Sequence, residues 1–138
     1  MLAKTNECVD AKWAALKEAQ RKADEEQRRI EEQRRAEEEA ARGTVSQQNA
    51  KQKAADYLGY SAFSRSGLID QLKYEGFSEA DATWAVDSLN VDWNAQAAAK
   101  AADYLAYSSF SRSGLIEQLV YEGFTQAQAE YGVSTTGL

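Results

Sequence analysis

The sequence predicts an all-α protein: a long charged N-terminal helix followed by two tandem, helix-turn-helix-like repeats of three short helices each. Three observations lead there. The 138 residues hold no Pro, and from residue 10 to about 42 there is no Gly either, only a run dominated by Ala, Glu, Gln, Lys and Arg, all strong helix formers. A stretch of 34 residues starting at Lys53 then returns 47 residues later with 24 identities. Within each copy, helix start and stop signals recur at matched places.

The N-terminal run needs little packing to stay helical. Opposite charges stand four apart in Asp24 with Arg28, Glu25 with Arg29, Arg28 with Glu32, Glu31 with Arg35 and Arg35 with Glu39, each pair worth about 0.2 to 0.5 kcal/mol. Trp13, Leu16, Gln20, Ala23, Gln27, Ile30 and Arg34 follow heptad spacing, but the Gln and Arg among them make a poor seam. A solvated spacer is the plainer reading, with a homo-oligomer through this helix as the alternative. At about 1.5 Å per residue it reaches about 50 Å, and residues 43–49 read as the flexible polar stretch that ends it. The expected division is a charged stalk and short linker over 1–48 and a tandem repeat module over 49–138, split into repeat 1 (about 49–91) and repeat 2 (about 92–138).

The repeat begins with Ala54-Ala55-Asp56-Tyr57-Leu58, returning as Ala101-Ala102-Asp103-Tyr104-Leu105. These lie in a first helix, over about 50–61 and again about 93–108. Ser64 and Ser111 read as N-caps of a second helix, whose Leu68, Ile69 and Leu72 (Leu115, Ile116 and Leu119) share one face. Gly76 and Gly123 stop that helix, with Phe77 and Phe124 packing back on its last turn. Ser78-Glu79-Ala80-Asp81 and Thr125-Gln126-Ala127-Gln128 resemble capping boxes opening a third helix, with Ala82, Val86 and Leu89 inward and Asn90 closing the first copy. Leu58, Phe63, Leu72, Tyr74, Phe77 and Trp84 are the expected core. Gly132, standing where the first copy has Ala85, is expected to weaken the last helix and let its end fray.

Composition excludes more than it proposes. With no His and one Cys, the chain lacks the usual ligands of catalytic triads and structural zinc sites, and no catalytic residue, metal or cofactor is expected. Asp87, Asn90 and Asp92 are oxygen ligands in near sequence, but without the Gly and terminal Glu of a calcium loop. Residues 49–138 carry six basic against eleven acidic side chains, a net charge of −5. Such a surface repels phosphate backbones, and the third helix of the first copy, with Glu79, Asp81 and Asp87 outward, has no Lys or Arg to read a base. Nucleic acid is therefore not the expected ligand, and a DNA-binding regulator is the least favoured of the functions considered. A basic or mixed-charge protein fits better.

The start of the chain has no apolar run of the kind a signal peptide needs, and no stretch approaches the roughly 20 apolar residues of a membrane helix. Cys8 follows Thr5, Asn6 and Glu7, without the small residue a lipoprotein cleavage site places before its Cys. As written, the sequence reads as soluble and without an export signal.

The string Tyr60-Ser61-Ala62-Phe63-Ser64-Arg65-Ser66-Gly67-Leu68-Ile69-Asp70-Gln71-Leu72, the turn Tyr74-Glu75-Gly76-Phe77-Ser78 and the bridge Val91-Asp92-Trp93 resemble the tandem repeat of the host cell surface-exposed lipoprotein (Ltp) family. The resemblance implies a bacterial or prophage origin and display on the outer face of the cell envelope, through an anchor this sequence does not contain. It further implies a role in superinfection exclusion, in which entry of phage DNA is blocked by binding an incoming tail component such as a tape-measure protein. A structural or virion-associated assembly protein is the alternative.

Two sets of residues follow as candidate sites. Arg65 and Arg112, with Ser66 and Ser113, repeat in matched places and are the candidate partner contacts, the plainer reading being helix caps beside solvated arginines. Val91, Asp92 and Trp93 are the candidate joint that makes the two repeats one module, because each copy alone is below the roughly 40 to 50 residues at which unaided cores become viable.

Overall fold

The computed structural model describes residues 2–138, with side chains from Glu7 onward. They form seven helices and no strand, so the all-α expectation holds. By contacts the chain divides after Arg42 into two units.

The first unit is the single helix α1 (Leu2–Arg42). At about 1.5 Å per residue, its 41 residues span about 60 Å. Its ion pairs are not those the spacing named. Arg21 sits between Glu18 and Glu25, Arg29 pairs with Glu26 and Arg34 with Glu38. On a solvated helix each Arg has several carboxylates within one turn, and spacing alone does not choose among them. Val9, Trp13, Leu16 and Ile30 all lie exposed.

The second unit begins at once. The expected flexible stretch over 43–49 is instead mostly helix: α2 (Val45–Tyr60) starts five residues earlier than its apolar pattern suggested. Thr44 accepts from the Gln47 backbone N–H at 3.1 Å, and Gln47 Oε1 accepts from the Thr44 N–H at 3.0 Å, a complete capping box. Next come α3 (Arg65–Tyr74) and α4 (Glu79–Ser88), which complete the first repeat, then α5 (Trp93–Tyr107), α6 (Arg112–Tyr121) and α7 (Gln126–Ser134).

Each repeat packs in the same way: the first helix lies along the third, and the second closes them. Alanines allow the close approach, with Ala50 and Ala54 of α2 against Ala82 and Ala85 of α4, all fully buried, while Leu68 and Leu72 of α3 fill the space beside them. Gly76 (φ 102°) and Gly123 (φ 106°) end α3 and α6 in the left-handed conformation. In both, the following Phe N–H bonds back to the third-last helical carbonyl, Phe77 to Leu72 and Phe124 to Leu119 at 3.1 Å, a Schellman closure. Ser78 and Thr125 cap α4 and α7, but only Thr125 forms the reciprocal box, with Gln128.

Two further expectations are corrected. Tyr74 is 86% exposed rather than core: it sits two residues past Leu72 on α3 and so points away from the buried face. Gly132 does not fray α7, which runs on to Ser134. It is buried against α5, where a Cβ would lie 2.6 Å from the carbonyl carbon of Ala97. The missing methyl lets the two helices touch.

Candidate protein-binding surface

The Ser-Arg-Ser-Gly segments open α3 and α6 identically. Ser64 and Ser111 each accept the N–H three residues on, from Gly67 and Gly114 at 3.0 Å. Beyond that cap the copies part company. Ser64 is 2% exposed and its hydroxyl donates to the Glu122 carbonyl at 2.6 Å, while Ser66 donates to the Gly123 carbonyl at 3.1 Å. The start of α3 in the first repeat is therefore bonded to the end of α6 in the second. Ser111 and Ser113 are exposed and face only each other, 3.4 Å apart.

The arginines differ as well. Arg65 holds Asp87 of α4 with Nε and a terminal nitrogen, at 2.7 and 2.9 Å. Those hydrogen bonds raise the guanidinium pKa further and hold the Asp87 carboxyl below the ordinary carboxylate range. The residue matching Asp87 in the second repeat is Ser134, and Arg112 donates to its hydroxyl at 3.4 Å and to the Leu138 carbonyl at 3.0 Å. Ser66 is thus engaged within the module, Arg65 is tied down, and Arg112 and Ser113 are presented to solvent.

At the candidate joint, Asp92 caps α5 by accepting from the Ala95 N–H at 3.1 Å. Trp93, the first residue of α5, is half-buried against the core of the first repeat, beside Val91, also half-buried. Gln96, one turn on, accepts from the Phe63 N–H through Oε1 at 3.0 Å. The joint therefore takes in Ser64, Ser66, Gln96, Glu122 and Gly123 as well as the bridge. Nothing local in the sequence marks these five, since their roles arise from which repeat lies beside which.

A set of exposed aromatics adds a feature that the sequence pattern did not single out. Tyr57 and Tyr104 belong to the core: each stacks edge-on against Phe63 or Phe110, at 5.7 and 5.6 Å, and each hydroxyl bonds Glu75 or Glu122. The hydrogen bond to Glu75 raises the Tyr57 phenol above its ordinary value. Tyr60 and Tyr107, three residues further on, are 90% and 91% exposed, and Tyr74 and Tyr121 are 86% and 87% exposed. Their recurrence at the 47-residue offset is the one signal of them in the sequence. Tyr60 and Ser61 of the first repeat, with Lys100, Asp103, Tyr104 and Tyr107 of the second, line a groove of about 450 Å³. It offers apolar ring faces, phenol hydroxyls, one cation and one carboxylate, a mixture suited to a protein surface. Among the described residues no three His, Cys, Asp or Glu side chains gather as a metal would require, and no helix is long and apolar enough to cross a membrane. Cys8 is exposed on α1 as a free thiol.

Comparison with curated protein sequences found no match. Among solved structures, the chain is similar to Ltp, a superinfection exclusion protein from the Streptococcus thermophilus temperate phage TP-J34. The two are 31% identical with a TM-score of 0.62, over 66% of this chain and 95% of that one. The family model for the host cell surface-exposed lipoprotein matches twice, over residues 46–89 and 92–135, one match to each three-helix unit. Matched over well over half its length, with both repeats present and folded alike, the chain belongs to the host cell surface-exposed lipoprotein (Ltp) family.

Proposed function

We propose that this chain acts in superinfection exclusion, without enzymatic chemistry, by binding a protein of an incoming phage. The observation that carries the reading is the similarity of the paired repeats to a superinfection exclusion protein over nearly the whole of that protein's chain. The finer steps are also proposals. The partner is a tail component that enters with the DNA, such as a tape-measure protein, and the net charge of −5 on residues 49–138 favours a basic one. The contact surface is the face carrying Tyr60 and Tyr107, with Arg112 and Ser113 in reach of solvent and Arg65 contributing its outer edge. Display on the outer face of the cell envelope, as the family's name describes, is part of the same proposal.

Challenging cells with phage, with and without the gene, and following adsorption and DNA entry separately, tests the function. Normal adsorption with blocked DNA entry is the expected result, and unaltered DNA entry for every phage tried would overturn it. A tail protein in hand allows the surface to be tested by Tyr60→Ala with Tyr107→Ala, and by Arg65→Ala with Arg112→Ala. Each pair is expected to weaken binding; the tyrosine pair should leave the melting curve in place, and the arginine pair should lower stability by no more than the about 0.2 to 1 kcal/mol of the exposed Arg65–Asp87 ion pair.

The exposed Val9, Trp13, Leu16 and Ile30 of α1 support a second reading, an assembly protein that oligomerises through that helix. A fixed oligomer lost on deleting residues 1–42 would favour it, and a monomer at high concentration would sink it.

A further inference from the structure

The joint between the repeats uses two unlike halves. One is the start of the second helix, offering the Ser64 and Ser66 hydroxyls and the Phe63 N–H. The other is the end of the second helix in the other copy, offering the Glu122 and Gly123 carbonyls, with the Gln96 amide beside it. Because the repeats are alike, each also carries the half the joint leaves unused. The second repeat offers Ser111, Ser113 and Phe110, and the first presents Glu75 and Gly76 with Asn49 in the place of Gln96.

The burial pattern shows that these unused halves are open. Ala62 and Ser64 are buried at the joint, whereas their counterparts Ser109 and Ser111 are exposed. Ile69 is 8% exposed, while Ile116 is only half-buried. On the other half, Phe124 is 3% exposed and Phe77 only half-buried. A Cβ added to Gly123 would lie 2.1 Å from the Ser66 hydroxyl oxygen, but one added to Gly76 would meet nothing within 4 Å. Among the described residues, the Ser111 and Ser113 hydroxyls reach no carbonyl outside their own repeat.

We infer that these halves fit each other between molecules, so that the occupant of each open half is a second copy of this chain. Ser113 and Ser111 of one copy donate to the Gly76 and Glu75 carbonyls of the next, repeating the internal joint from chain to chain. The interface is heterologous, since the two surfaces are different, and every added copy presents a fresh half, so the assembly grows end to end and does not close at a dimer. Stacking of this kind is how short helical repeats extend a shared core. The association is weaker than the internal joint for two reasons read from the aligned positions. Ser46 stands where Trp93 seals the joint, and Asn49 is one methylene shorter than Gln96. Nor are the two open halves covalently linked, so each contact forgoes the effective concentration that the chain supplies within the molecule.

Sedimentation equilibrium of the full chain, from micromolar to about 1 mM, a range that populates even weak complexes, measures the weight-average mass. The mass is expected to rise with concentration and to pass that of a dimer. Ser113→Glu places a carboxylate at an exposed position in the first turn of α6, which suits the helix, but sets it against Glu75 of the next copy. This variant is expected to melt as the parent does and to weaken the association by tenfold or more. A mass that stays monomeric at 1 mM, one that stops at a dimer, or a rise equal in parent and Ser113→Glu would each overturn the inference. The last result would place the contact elsewhere, as on α1.

Discussion

Arg65 grips both carboxylate oxygens of Asp87, at 2.7 and 2.9 Å, and so fastens the start of α3 to the end of α4. Both side chains are about half exposed, so solvent screens the pair and its coupling in a double-mutant cycle is expected at about 0.2 to 1 kcal/mol. Asp87→Asn should lower stability by no more than that at pH 7. Because the Asp87 carboxyl is held below its unfolded value, the stabilisation is present above the unfolded carboxylate value of about 3.9 and fades as pH falls through the lower folded value. Urea melts of parent and variant across acidic pH check this, and the two curves should converge at the acid end.

Ser64 and Ser111 offer an internal control. Ser111→Ala removes a cap alone, at about 1 kcal/mol. Ser64→Ala removes the same cap and also leaves the Glu122 carbonyl without its donor at the joint, adding about 1 kcal/mol or more. Chemical denaturation of the two variants should rank Ser64→Ala as clearly the less stable.

Trp93→Ala opens the joint from the other side. A fully buried Trp costs about 3 to 5 kcal/mol on truncation. Trp93 is half-buried, so the expected loss is about 2 to 3 kcal/mol, by scaling that range. The loss should appear in one cooperative transition covering both repeats. A variant melt in which only one repeat shifts would show that they fold independently.

Two glycines separate helix propensity from packing. Gly59 lies near the end of α2, where an added Cβ would meet nothing within 4 Å, and its counterpart is already Ala106. Gly59→Ala should stabilise by about 0.5 to 1 kcal/mol. Gly132→Ala brings the same gain in propensity, but its methyl would strike the backbone and Cβ of Ala97 at 2.6 to 2.9 Å. It should destabilise by about 1 to 3 kcal/mol overall. Thermal melts of the two variants should therefore shift in opposite directions.

These glycines also mark what the sequence could and could not convey. Caps, Schellman closures and the leucines facing inward are local, and Ser64, Gly76, Phe77, Leu68 and Leu72 can each be placed from neighbours within one or two turns. Tyr74 reads as core on its aromatic character, although its position two residues past Leu72 turns it outward. Thr44 escapes notice because the polar run after it has no apolar period, yet Thr44 and Gln47 have the spacing of a capping box. The joint is only half legible: Trp93 stands out between the copies, but Ser64 and Ser111 have the same neighbours in sequence and differ only in what folds against them. The tyrosines that face solvent are visible as a repeated pair, yet a repeated aromatic reads equally as core until the helix phase is known.

The uneven placement of the tryptophans gives the molecule a built-in optical asymmetry. Trp84 and Trp93 both pack on the core of the first repeat, Trp13 lies 60% exposed on α1, and the core of the second repeat has none, with Tyr131 at the place of Trp84. Emission should therefore redden most when the first repeat opens and change less when the second does, through Trp93 at the start of α5 alone, while circular dichroism counts helix from both. Coincidence or separation of the two signals, in a single untagged sample, tells whether the duplicated halves let go of their structure together.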